Sequence, residues 1–361
     1  MKTFKNIFLK TTFLALTILS VATSCSKDDD QPAPTPEPEV VLPTSDVYGL
    51  AITNGSTLPP FYYKNSTKTN IVVGANEQAT TTSIYVTGED IYVTGNITTT
   101  TGGLQFQQAC YWKNNVRVNV SHSISSAGGN QAIIEAITVV GNEVYAVGQI
   151  ATTVGSASRI VLWRNGVSSF VSAPSVSVYY YAKTISVFGN DVYVSGNGFV
   201  RDESTAAFWK NGVITTLSAS LSEVETVIAN ASGVHAVFIE FGLSFGGSIK
   251  YWKDGTVSNI SSPLARMGKM TIKGNDVYIT GAERTTSTAE DKACFWKNGI
   301  KTELANGNNK IAGDIKFGIN NDMFIAQKAK VFGTLTFWKN NVAASLGNST
   351  DVFYSFDINN K

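Results

Sequence analysis

All six tryptophans of the chain stand in one recurring phrase: Tyr111-Trp112-Lys113-Asn114, Leu162-Trp163-Arg164-Asn165, Phe208-Trp209-Lys210-Asn211, Tyr251-Trp252-Lys253-Asp254, Phe295-Trp296-Lys297-Asn298 and Phe337-Trp338-Lys339-Asn340. Successive tryptophans lie 51, 46, 43, 44 and 42 residues apart, so the chain is a tandem repeat. A period of that length suits one four-stranded propeller blade and exceeds that of most helical or leucine-rich repeats.

A second phrase precedes each tryptophan: Gly141-Asn142-Glu143-Val144-Tyr145, Gly189-Asn190-Asp191-Val192-Tyr193 and Gly274-Asn275-Asp276-Val277-Tyr278, with Gly88-Glu89-Asp90-Ile91-Tyr92 a close variant. Each reads as a turn between two strands. The β-branched run Thr184 to Val187 meets Gly189-Asn190-Asp191, and Val192-Tyr193-Val194 leads away, which predicts a hairpin with φ > 0 at its tip. The tryptophan phrase predicts a second hairpin, because Asn211-Gly212 is the favoured type I′ pair. One repeat therefore holds four short strands, A to D, and no segment carries a long helical stripe.

The chain ends complete the count. Phe61-Tyr62-Tyr63-Lys64-Asn65 is the tryptophan phrase with Tyr63 in the tryptophan place, and Asp46 to Leu50 reads as a strand B without a strand A. Asp351 to Asn360 reads as a strand A without a strand B. Joined, they make a seventh blade, and closing the ring removes exposed sheet edges. The expectation is an all-β chain in which residues 46–361 form a seven-bladed β-propeller of four-stranded blades, closed by its terminal strands.

The first residues read as an address. Lys2, Lys5 and Lys10 precede an apolar stretch from Thr11 to Val21, too short for a permanent membrane helix, and Ala22-Thr23-Ser24 leads to Cys25. This pattern resembles a bacterial lipoprotein signal. The resemblance implies that residues 1–24 are a signal peptide and that Cys25 becomes a lipidated N-terminus bearing diacylglyceryl and palmitate-type acyl groups. Ser26-Lys27-Asp28-Asp29-Asp30 resembles the acidic export signal of Bacteroidota surface lipoproteins, which implies an outer-membrane protein displayed on the cell surface. Residues 25–45 form the linker, with Pro32, Pro34, Pro36, Pro38 and Pro43. In polyproline II geometry its last twenty residues would reach on the order of 60 Å. The linker feeds strand B beside the A–B turn of the closing blade, so the face built from B–C and D–A loops should point outward. Gly95–Gln108, Gly148–Ser158, Phe241–Ser248 and Gly281–Asp291 read as B–C loops, and variable loops on a uniform scaffold are where binding is expected.

Charged residues make up only 15% of the chain and the net charge is +1, which gives no electrostatic case for nucleic acid or an anionic membrane surface. Membrane attachment would be through the lipid alone. The chain is large and apolar enough to bury a core without staples, as a monomeric domain. Cys110 and Cys294 each lie two residues before a repeat tryptophan, far apart around a ring, and read as buried thiols and not a disulfide.

The repeat aromatics read as inter-blade packing. Tyr179, Tyr180 and Tyr181, placed in a D–A connection, and Phe106, Phe241 and Phe245, in or beside B–C loops, are the aromatic candidates for ligand contact. Strand A should line the central channel. The residue six before each A–B turn would then lie near the outward mouth, and this column reads Thr82, Glu135, Lys183, Glu225, Gly268 and Asp314. Three carboxylates and a lysine meeting there could do acid–base work or bind Ca²⁺, although solvated or paired charges are the plainer reading and no cofactor is required. His122 falls in a Ser-rich D–A loop and His235 replaces the tyrosine of a strand B. No Gly-x-Ser-x-Gly elbow, His-Glu-x-x-His, Walker loop or cysteine–histidine zinc spacing occurs. Asp90, Asp191 and Asp276 are explained by a turn role.

The Gly-Asn-Asp-Val-Tyr turn followed by a Phe-Trp-Lys-Asn-Gly hairpin resembles the extracellular HAF-type propeller repeats, over about residues 46–361. The resemblance implies a propeller and no particular chemistry. Ala231-Ser232-Gly233-Val234, Asn320-Asn321-Asp322-Met323 and Tyr63 depart from the pattern. The expected function is a surface lipoprotein that binds a glycan or another surface protein through its outward loop face, without catalysis. A polysaccharide lyase or hydrolase using Glu135, Glu225 and Asp314 is the first alternative, and a structural subunit of an outer-membrane assembly is the second.

Overall fold

The computed structural model of the protein describes residues 44–55, 58–120, 131–151, 157–173, 178–200, 203–242, 246–328 and 331–359. The signal segment, Cys25 and the linker up to residue 43 lie outside the described residues, as do His122 and Phe245. The fold is all-β, a β-propeller of four-stranded antiparallel blades. A single 3-10 turn, Ile319–Asn321, is the one helical element among the described residues.

The repeat 179–216 displays the plan. Tyr179–Phe188, Asp191–Val200, Glu203–Lys210 and Val213–Thr216 pair in the order A-B-C-D. Residues 78–119, 131–170 and 312–346 form sheets of the same order. In the closing sheet Asp351–Asn359 supplies strand A and pairs with Asp46–Thr53 as strand B, so the first and last strands of the described residues meet. Val331–Phe332 adds a fifth strand on its edge. The sixth sheet has eight strands, because residues 222–259 join residues 265–308 through one pair, Gly247 with Ala265. Five sheets thus stand as separate blades, against the seven expected. Gly246 lies against Ala265 and Leu264, and the lack of a side chain there lets the two strand sets touch.

Turn chemistry fixes the hairpins. Gly88, Gly141, Gly189 and Gly274 open the A–B turns at φ 56°, 60°, 60° and 59°, which glycine adopts without penalty. Asn211 and Gly212 make the C–D turn at φ 49° and 84°, the type I′ pattern. Between the two turns, Lys210 Nζ reaches Asp191 at 2.7 Å and lies 5.6 Å from the Tyr193 ring centre. Lys113 with Asp90 and Tyr92, and Lys297 with Asp276 and Tyr278, repeat the arrangement. The aspartates therefore bind a lysine as well as shaping a turn.

Each apolar cluster draws on successive repeats. Tyr92 and Tyr111 pack with Trp163, Val147 and Ile160 with Trp209, and Tyr278 and Phe295 with Trp338. The tryptophans are the mortar between repeats. Tyr63 fills the corresponding place at the ring closure, where its ring stacks on Phe353 at 6.0 Å and its hydroxyl donates to Asp351 at 3.0 Å. Cys110 and Cys294 are free and buried in separate clusters, and burial pushes each thiol up to about 12. The segment expected as a B–C loop from Gly95 to Gln108 is instead a continued hairpin, Asp90–Thr101 with Leu104–Lys113, turning at Gly102-Gly103 and holding Phe106 opposite Thr99.

Candidate functional site

Every strand A carries a β-bulge in the same place. Ala182 pairs with Gly196 and Thr184 with Ser195, which leaves Lys183 as the extra residue. Thr82, Glu135 and Glu225 are extra in their own repeats, and Tyr354 in the closing sheet. Two further strands pass over a pair, Gly268-Lys269 and Gly313-Asp314. A bulge re-aims a side chain, so the column counted from spacing coincides with the bulge positions of the strands A.

Strand B supplies what the bulge needs. A Cβ on Gly95, Gly148, Gly196 or Gly281 would overlap the carbonyl oxygen of Thr80, Ile133, Tyr181 or Arg266 respectively. Beside three of these glycines a hydroxyl accepts an N–H at the bulge: Thr94 from Ser83 at 3.1 Å, Ser195 from Thr184 at 3.0 Å and Thr280 from Lys269 at 2.9 Å. The dipeptides Thr94-Gly95, Ser195-Gly196 and Thr280-Gly281 were the sequence signal for this device.

Two bulge residues open on a cavity. Glu135 and Lys183, with Tyr179, Tyr181, Ala182, Asn197, Phe199 and Glu223, line a space of about 680 Å³. The cavity lies toward the start of strand A, away from the A–B turns. Asp46, where the described chain enters strand B, pairs with Asn359 at the turn end. Tyr181 meets Phe199 edge to face, 5.2 Å between ring centres.

Four of the seven sequence candidates are therefore brought together, and three are not. Tyr179, Tyr180 and Tyr181 lie inside strand A and not in a D–A connection. Strand alternation sends Tyr180 the other way, onto Trp209 at 5.7 Å. Glu225 faces Lys328 at 4.0 Å, and Asp314 pairs with Lys269 at 2.6 Å. The expected meeting of Glu135, Glu225 and Asp314 does not occur, because lysines stand between the carboxylates. Lys269 was missed in the sequence since Gly268 holds the counted position, while both residues share the bulge. Lys316 with Asp357, 3.0 Å apart, adds another ion pair to the channel. Among the described residues no group of three or more histidine, cysteine, aspartate or glutamate side chains could hold a metal ion; Glu225 and Asp314 meet ammonium groups, and Glu135 accepts from the Gln149 amide.

Burial pushes the Glu135 carboxyl above its ordinary range, and the Gln149 amide, donating at 2.8 Å, and the Lys183 charge offset only part of this. Burial opposes the charge on Lys269, but Asp314 and Glu225 outweigh it and hold the ammonium above its usual value. Asn197 is 1% exposed, and its Oδ1 accepts the Val224 N–H at 2.8 Å, which fixes the orientation of the amide. Among the described residues its Nδ2 has no partner, nor has Oε1 of Gln149. Neither Asn197, Phe199 nor Glu223 was singled out from the sequence; Asn197 follows the bulge glycine Gly196, which is the cue. His235 is buried between the Tyr251 hydroxyl at 2.5 Å and Ser232 at 2.9 Å, and burial lowers its pKa, so it serves the core.

None of the residues lining the cavity is a serine, threonine, cysteine or histidine, and its ionisable groups are Glu135, Glu223, Lys183, Tyr179 and Tyr181. What the cavity offers is aromatic rings, fixed donors and fixed acceptors. No protein-family model matches the chain, and no curated protein sequence is significantly similar to it. Among solved structures the chain is similar to a prolyl endopeptidase, at 10% identity and TM-score 0.48 over 87% of this chain and 50% of that one. A protein from Lactobacillus plantarum matches at 10% identity and TM-score 0.47 over 87% of this chain and 99% of that one. The subtype N11 neuraminidase-like protein of a flat-faced bat isolate matches at 8% identity and TM-score 0.43 over 86% and 93%. The chain spans about half the length of the prolyl endopeptidase.

Proposed function

We propose that the protein is a lipid-anchored surface lipoprotein whose seven-bladed propeller recognises a ligand at the mouth of its channel without turning it over. The blade count treats the eight-stranded sheet as two blades divided at the Gly247–Ala265 pair. Seven inner segments support it, since residues 83–85, 136–138, 184–186, 226–228, 269–271, 314–316 and 355–356 all border one central channel. The anchor rests on the sequence: residues 1–24 as signal, Cys25 as the lipidated residue and residues 26–45 as the spacer that lifts the domain off the outer membrane. Because Asp46 enters at the turn end, the mouth cavity would face away from that membrane.

The cavity between Glu135 and Lys183 carries the functional reading. It falls within the range of about 300–1,000 Å³ typical of small-ligand sites and combines aromatic walls with a buried amide donor that has no partner among the described residues. A second reading, glycoside cleavage, has one observation in its favour: burial keeps the Glu135 carboxyl raised, as a general acid requires. Its partner would be Glu223 on the same wall, since Glu225 and Asp314 are held by lysines.

The test has two parts. Labelled palmitate should enter the protein and fail to enter Cys25→Ala, and protease added to intact cells should digest the domain; label without protease access would sink the surface assignment. Incubation with oligosaccharides should raise the melting temperature and release no product. Product release abolished by Glu135→Gln would replace recognition with catalysis.

A further inference from the structure

Resting on the binding reading, we infer that the mouth cavity takes an uncharged saccharide unit, stacked on the Tyr181–Phe199 pair and hydrogen-bonded by Asn197, Lys183 and Glu135. Three features of the cavity lead there. The first is the orphan donor. The Asn197 amide cannot turn to satisfy itself, because Oδ1 is held by the Val224 N–H, so Nδ2 is left without an acceptor among the described residues, beside the cavity that Asn197 lines. The second is the mixture of fixed roles. Asn197 Nδ2 and Lys183 Nζ can only donate, whereas Glu135 and Glu223, when ionised, can only accept. Hydroxyl groups donate and accept at once, so a polyol satisfies both kinds of partner without any group being left buried and unpaired.

Charge is the third. Two carboxylates and one ammonium line the cavity, and Lys183 forms no salt bridge among the described residues, unlike Lys269, Lys316 and Lys328. An anionic ligand would be repelled by two carboxylates and a cationic one by the Lys183 ammonium, and a neutral ligand avoids both repulsions. The exposed ring of Tyr181, 39% accessible, supplies the apolar face on which the C–H side of a sugar ring packs.

The experiment is titration calorimetry on the full-length protein with cellobiose, maltose, mannobiose and diacetylchitobiose, together with glucuronic acid, glucosamine and an uncharged blocked tripeptide. At least one neutral disaccharide should bind. Tyr181→Ala should weaken it tenfold or more. Asn197→Asp keeps an oxygen for the Val224 N–H but replaces the pocket donor by an acceptor, so it too should weaken binding at least tenfold, while the melting temperature of each variant reports that the fold is intact. Binding of glucuronic acid, glucosamine or the tripeptide in preference to every neutral sugar, lost in Tyr181→Ala, would overturn the saccharide assignment and leave the binding site standing. Binding of none of the probes, or binding indifferent to both substitutions, would overturn the assignment and the mouth cavity with it.

Discussion

Asn211 and Val192 hold each other twice: the Asn211 side-chain oxygen accepts the Val192 N–H at 2.9 Å, and the Asn211 backbone N–H donates to the Val192 carbonyl at 2.9 Å. The same pair of hydrogen bonds joins Asn65 to Val47, Asn114 to Ile91, Asn165 to Val144, Asn298 to Val277 and Asn340 to Met323, and Asp254 makes it to Val234. The asparagine amide then donates to the turn aspartate, Asp191 at 2.6 Å in this repeat. The two recurring phrases of the sequence are thus two halves of one clasp, which locks the C–D turn to the start of strand B.

Replacing the clasp residue separates its two tasks. Asn211 stands at φ 49°, a conformation that costs an alanine about 1 kcal/mol, and its side chain makes two hydrogen bonds. Asn211→Gly should lose about 1 kcal/mol and Asn211→Ala about 2 kcal/mol, read from urea midpoints. Equal losses in the two variants would mean that the backbone conformation is not under strain.

The bulges make a sharper prediction. A Cβ on Gly148 would overlap the Ile133 carbonyl at the Glu135 bulge, whereas one on Gly141 meets nothing within 4 Å and is strained only by its φ of 60°. Gly148→Ala should therefore cost about 3 kcal/mol and weaken ligand binding, because Glu135 moves, while Gly141→Ala should cost about 1 kcal/mol and leave binding unchanged. Chemical denaturation together with a binding titration checks both. A Gly148→Ala protein with parental affinity would remove the bulge from the site.

Much of this was legible in the sequence, for identifiable reasons. Glycine at Gly189, the Asn211-Gly212 pair and the tryptophan phrase are local codes, and backbone sterics alone make them readable. The closing sheet was readable because Asp46–Thr53 lacked a strand A and Asp351–Asn359 lacked a strand B. The column Glu135, Lys183 was found by counting, but the reason it projects into the mouth, an extra residue opposite a glycine, depends on pairing with another strand. Tyr180 went astray for the same reason: whether a run of three tyrosines is loop or strand is settled by Phe199 and Gly198 across the ladder. The hydrogen-bonded junction of Gly247 with Ala265 is a contact between two repeats and leaves no local trace.

The ion pair of Lys269 with Asp314 can be tested by a double-mutant cycle. The two groups lie 2.6 Å apart at the channel, where each removes the need to leave the other partly buried and unpaired. Lys269→Met should destabilise by about 2 kcal/mol, since the lysine retains some contact with solvent. The double variant with Asp314→Asn should lose less than the sum of the singles, by about 1 kcal/mol. Strict additivity would mean that the Lys269–Asp314 pair contributes nothing to stability.

Glu135 predicts a pH dependence with a definite sign. Burial raises its folded-state pKa above the ordinary 4.5, so the folded protein holds this proton to higher pH than the unfolded chain does. Below the ordinary carboxyl range both states are protonated and there is no penalty. As pH rises through that range the unfolded state ionises first, stability falls, and the loss is complete once the folded carboxyl has ionised too. Glu135→Gln keeps an oxygen to accept from Gln149 and removes the titration. Its melting temperature should match the parent near pH 4 and exceed it above neutrality, in scans taken from pH 4 to pH 8. A difference that does not change with pH would show that the carboxyl ionises in the folded protein as easily as in the unfolded chain, and the general-acid role considered for it would fall with that result.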